Sequence, residues 1–176
     1  MRTMAKALGL LLAIAFLAGL WDARWDGDDR PAAGSPAGFR TAPLQRRHPV
    51  AAAPELIGVR TLRQDGYDRV EFRFRDALPG YAVRYVPEVT DQGGRRLPVP
   101  GRAFVAVAFE PARARDAGGE PTFTPATLSP GYPRLRQVRL AADFEGRVAF
   151  GLGVAGRGGF RVAELRDPAR VAVDIR

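Results

Sequence analysis

A chain of 176 residues, 46% hydrophobic and 26% charged, has room for one folded core of ordinary composition once a leader and a linker are set aside. A formal charge of +8 and a pI near 11.0 would suit a polyanion-binding protein, but Lys6 is the single lysine and asparagine is absent. That is the residue usage of GC-rich coding, so the arginines read first as a solvated surface. With no cysteine, disulfides, thiolate metal sites and lipid-modified cysteines are excluded.

Arg2 and Lys6 form a short positive region, and Ala7 to Trp21 is an apolar run of signal-segment length, short for a membrane span. Residues 1–21 are therefore expected to be a signal peptide or, if uncleaved, an N-terminal signal anchor. The expected location is extracytoplasmic, either secreted or held at the cytoplasmic membrane by that segment alone. Export removes nucleic acid as a partner.

Residues 22–53 carry Asp22, Asp26, Asp28 and Asp29, then Pro31, Gly34, Pro36, Gly38 and Pro43, then Arg46-Arg47-His48-Pro49, with no sustained apolar period. The expectation is a disordered Pro/Gly-rich linker, dispensable for folding.

From Leu56 the punctuation becomes that of an all-β domain. Strands are expected at Leu56–Arg63, Tyr67–Arg75, Tyr81–Val89, Ala103–Glu110, weakly near Pro121–Leu128, then at Leu135–Ala141, Gly146–Val154, Phe160–Leu165 and Arg170–Ile175, with Gly- and Pro-bearing turns between them. No apolar 3.6-residue period follows the leader. The fold class is therefore all-β, a single β-sandwich of about eight or nine short strands over residues 54–176.

Strict alternation in Gly66-Tyr67-Asp68-Arg69-Val70-Glu71-Phe72-Arg73-Phe74-Arg75 gives one strand two opposite faces. Val70, Phe72 and Phe74 belong to the core together with Val105, Val107, Phe109, Val148, Phe150, Val171, Val173 and Ile175. Arg69, Glu71, Arg73 and Arg75 face outward.

Several segments resemble, in order, the AMIN-like domain of exported actinobacterial proteins: Gly66-Tyr67-Asp68-Arg69-Val70 with Phe72 and Phe74, Pro79-Gly80-Tyr81 with Val83, Tyr85 and Val86, Asp143-Phe144-Glu145-Gly146, Gly151 with Gly153 and Val154, Phe160-Arg161-Val162, and Pro168 with Arg170, Val171, Val173 and Asp174. The resemblance implies a β-sandwich of the bacterial envelope. It also implies kinship with AMIN modules, which help localise amidases and secretion pores by associating with peptidoglycan.

Chemistry has few candidates. The one histidine, His48, lies in the linker, and the only serines are Ser35 and Ser129, so neither a Ser-His-Asp site nor a zinc site can be assembled. Asp143 and Glu145 flank Phe144 and could form a carboxylate pair or a calcium site, against the simpler reading of turn residues paired with arginine. No cofactor or metal is expected, and the protein reads as a non-enzyme.

Guanidinium forks suit carboxylate and phosphate, which makes Arg69, Arg73, Arg75 and Arg84 the candidate ligand-binding residues, joined by Arg139, Arg147, Arg161 and Arg170 if their strands are neighbours. The competing reading has Arg69 pair with Asp174 or Glu71 and close the sheet. The expected function is an exported envelope-binding module associating with peptidoglycan, its glycan or another anionic wall polymer through a basic sheet face. The alternative is a protein-interaction or structural subunit that joins an envelope protein partner through exposed sheet edges.

Overall fold

The computed structural model describes residues 38–176, and the leader and the first part of the expected linker lie outside them. Ten strands form two antiparallel sheets, and none of the described residues is helical. In chain order they are β1 (Leu44–Arg46), β2 (Leu56–Gln64), β3 (Tyr67–Phe74), β4 (Tyr81–Val86), β5 (Ala103–Phe109), β6 (Thr127–Leu128), β7 (Leu135–Phe144), β8 (Arg147–Val154), β9 (Phe160–Leu165) and β10 (Arg170–Ile175). The larger sheet has the order β1-β4-β5-β8-β7-β6 and the smaller one β2-β3-β10-β9. The all-β sandwich expected from the sequence is thus the fold, with the strand boundaries off by a few residues.

Every residue assigned to the core by alternation is buried, from Val70 and Phe72 on β3 to Val173 and Ile175 on β10. Phe72 lies at its centre, with ring centroids 4.9 Å from both Phe109 and Phe150 of the facing sheet. Such tilted aromatic contacts add to the burial of area between the layers.

Asp68 joins the sheets by a polar route. Its fully buried carboxylate lies on β3, and Oδ2 accepts the amides of Arg134 (2.7 Å) and Leu135 (2.9 Å) at the start of β7. Two preceding residues close the β2–β3 hairpin, where Gly66 takes a φ of 82° that a side chain would resist.

The outer face of the larger sheet is not open. Gly151 and Gly153 of β8 present no side chain there, and the 87–101 loop lies on them. A Cβ on Gly151 would run into the Val89 side chain, and one on Gly153 into the Pro100 carbonyl. Arg139 of β7 fixes the same loop by donating to the Pro98 carbonyl at 3.0 Å.

The linker expectation needs correction over its described part, residues 38–53. Arg40 forms an antiparallel bridge with Phe160, and β1 pairs with β4 in the register Leu44↔Val83. The segment therefore covers the edge of β9 at one end and of β4 at the other, a common protection of exposed strand edges. Leu44 packs against the core, and Glu164 of β9 accepts from His48 (3.0 Å) and pairs with Arg46 (3.3 Å). A three-residue strand between two prolines shows no period, which is why the pattern concealed it.

Candidate functional site

Strand register builds the outer face of the smaller sheet row by row. Leu62, Arg69, Asp174 and Arg161 lie across it in one row, Arg60, Glu71, Ala172 and Ala163 in the next, and Gly58, Arg73, Arg170 and Leu165 in the third. Five arginines thus share this face with two carboxylates. Arg69, Arg73, Arg161 and Arg170 are brought together as the sequence suggested.

Most of these guanidinium groups are occupied. Arg69 grips the fully buried Asp174 with two bonds, Nε to Oδ1 at 2.6 Å and Nη2 to Oδ2 at 3.0 Å. Arg161 approaches the same carboxylate from β9, with Nη2 2.6 Å from Oδ2. The bond to Asp174 holds the Arg69 guanidinium above its ordinary pKa, against the opposing effect of burial. Arg60 and Arg170 both reach Glu71 Oε2, at 2.7 and 3.4 Å. Ala172, between Glu71 and Ala163 in the middle row, is completely buried although it faces outward.

Aromatic rings extend this lattice. The Arg161 guanidinium lies against both Phe39 and Tyr67, 4.9 and 5.1 Å from their centroids, and the two ring centroids are 6.2 Å apart, so a residue of the N-terminal segment completes the row.

Arg73 is different. It is exposed, faces Gly58 on one side and Arg170 on the other, and has no hydrogen-bond or ion-pair partner among the described residues. The space above Gly58 is open, since a Cβ there would meet nothing within 4 Å.

The other two candidates lie elsewhere. Arg75 follows β3 and is held by Glu55, with Nη2 to Oε1 at 3.0 Å, while Arg113 takes the second carboxylate oxygen at 2.9 Å. Those bonds, that of Arg113 foremost, keep the Glu55 carboxyl below its usual pKa. Arg84 is on β4, opposite Ala106, on the outer side of the larger sheet and across the sandwich from Arg73. There it adds repulsion to Arg147, whose guanidinium burial already holds below its ordinary pKa. Arg69, Arg73, Arg75 and Arg84 do not form one site: strand alternation placed Arg69 and Arg73 correctly, but sheet membership separates Arg84 and an ion pair claims Arg75.

The carboxylates resolve into structural roles. Asp143 accepts the Ala114 amide (3.2 Å) and pairs with Arg115 (3.2 Å), while Glu145 sits in the tight β7–β8 turn with a φ of 50°. They do not share a strand face. Among the described residues no group of three or more His, Cys, Asp or Glu side chains could hold a metal ion.

The described residues thus form an antiparallel two-sheet sandwich most of whose outward polar side chains on the smaller sheet are spent on closing it. The model of the AMIN-like domain matches residues 54–176, and the chain belongs to that family. Domains of this family are non-catalytic localisation modules, and membership points to an envelope-associated, extracytoplasmic role. Neither the curated proteins nor the solved structures provide a match.

Proposed function

We propose that the domain associates with peptidoglycan or another anionic wall polymer through the outer face of the smaller sheet, with Arg73 as the group that meets the ligand and Arg170 beside it. The observation that carries this reading is the exposed Arg73, without a hydrogen-bond or ion-pair partner among the described residues, on a face where arginines outnumber carboxylates. The neighbouring pairs Arg69–Asp174 and Arg60–Glu71 are already formed, so the face around Arg73 keeps its shape and the Arg73 fork is the main group a ligand carboxylate or phosphate has to order. Family membership supports the setting, an envelope module acting without chemistry.

The reading predicts binding that weakens with salt, because the attraction is between an exposed cation and a polyanion. Co-sedimentation with isolated cell wall over a salt series tests it. Retention at low salt and release at high salt is the expected result. Absence of retention at low salt rejects it and favours the protein-interaction reading.

A further inference from the structure

The end of the larger sheet carries a second basic feature, unrelated to the Arg73 face. Val154, the last residue of β8, is flanked by Ala103 of β5 and Leu135 of β7. Beyond it opens a cleft of about 440 Å³ lined by Pro100, Gly101, Arg102, Arg136 and Ala155.

Local backbone geometry puts both arginines there. The register of β7 against β8 shifts between Leu135 and Gln137, so Arg136 is the additional residue of a β-bulge. Bulges redirect a side chain out of the regular pleat, here to the cleft wall. On the opposite side of β8, the Arg102 amide donates to the Val154 carbonyl at 2.9 Å, which anchors Arg102 at the cleft. Gly101 permits that approach, since a Cβ on it would lie 2.8 Å from the Val154 nitrogen. The Ala155 amide donates to the Arg134 carbonyl at 2.9 Å and fixes the remaining wall.

Neither guanidinium is consumed by the fold. Arg102 and Arg136 are exposed and have no hydrogen-bond or ion-pair partner among the described residues, and no carboxylate is among the residues lining the cleft. This contrasts with Arg69, Arg75 and Arg161, each held by an acid. Two unneutralised forks line the cleft from opposite sides of one strand end, and donors on two sides would suit a tetrahedral oxyanion better than a planar carboxylate. The volume falls within the range of small-molecule sites and leaves room for more than the anion.

We propose that this cleft binds the phosphate group of a phosphorylated sugar or polyol unit, with Arg102 and Arg136 holding the phosphate oxygens and the Pro100–Gly101 wall meeting the attached carbons.

Titration of isotope-labelled full chain with glycerol 3-phosphate, followed by amide chemical shifts, tests the proposal, with acetate as the carboxylate comparator. Saturable shifts centred on Gly101, Arg102, Arg136 and Ala155, with acetate at least tenfold weaker, are expected. Arg102→Gln with Arg136→Gln removes exposed charges that have no partner among the described residues, and should leave the melting temperature unchanged while weakening glycerol 3-phosphate at least tenfold. Arg73→Gln should leave this binding intact, which separates the cleft from the sheet face. Non-saturable shifts, shifts centred elsewhere, equal binding of acetate, or undiminished binding by the double variant would overturn it.

Discussion

Arg69 on β3 and Asp174 on β10 stand opposite each other in register, and the guanidinium clasps the fully buried carboxylate with both Nε and Nη2. The residue pair that looked like the start of a binding surface is thus first a fastening between two central strands. Removing one partner of such a buried pair leaves the other poorly compensated. Arg161 remains on Asp174 when Arg69 is lost, so Arg69→Met should cost about 2–3 kcal/mol, below the full penalty for an orphaned charge. Urea denaturation of Arg69→Met, Asp174→Asn and the double variant provides the coupling energy. A coupling near zero would deny the fastening role.

Acid stability should depend on Glu55. Its folded pKa lies below the ordinary 4.5, chiefly because of the Arg113 hydrogen bond and then that of Arg75. A carboxyl with a lowered folded pKa contributes stability that is complete above its unfolded pKa and lost as pH falls through the folded value. The melting temperature of the native chain should therefore fall more steeply below that ordinary value than that of Glu55→Gln. Parallel acid limbs would remove Glu55 from the account.

Close packing on the two β8 glycines makes two destabilising substitutions that differ in whether the loss can be relieved. Gly153→Ala should destabilise by roughly 1–3 kcal/mol, because its Cβ meets the Pro100 carbonyl and backbone must move. Gly151→Ala meets only the Val89 side chain, so combining it with Val89→Ala should recover part of its loss. Thermal melts of the three variants check this, and a tolerated Gly153→Ala would mean the 87–101 loop does not seat as described.

The segment of residues 38–53 should contribute to stability. A variant beginning at Pro54 lacks β1, the Arg40–Phe160 bridge and the Arg46 and His48 bonds to Glu164, and should melt several degrees below one beginning at Gly38. Equal melting temperatures would return that segment to the role of a passive tether.

The sequence made the interior readable because period-two alternation records burial directly: Val70, Phe72 and Phe74 could only face one way. The same alternation put Arg69 and Arg73 on the outer face but could not say which strands lie beside them. Pairing of β3 with β10, about a hundred residues away, decides that Arg69 meets Asp174 whereas Arg73 meets only Arg170 and Gly58. Arg84 carries no local sign that its strand belongs to the other sheet. Arg136 was illegible for a further reason, since a bulge breaks the alternation that makes strands recognisable, and Arg102 lies outside the strands, brought to the cleft by a backbone bond to Val154 about fifty residues away. Asp68 and Gly66 attracted notice as family-like residues, and the structure gives them the cross-sheet clamp and the hairpin turn.

The central claim concerns one face of the sandwich, so the most direct measurement compares two charge reversals of equal size on opposite faces. Arg73→Glu and Arg84→Glu each change the net charge equally, one on the outer side of the smaller sheet and one on that of the larger. Titrating each against isolated cell wall at low salt, the account predicts at least tenfold weaker binding for Arg73→Glu, roughly 1.4 kcal/mol or more, and little change for Arg84→Glu. Equal weakening by both would reduce the interaction to net charge, and undiminished binding by Arg73→Glu would contradict the assignment of the face.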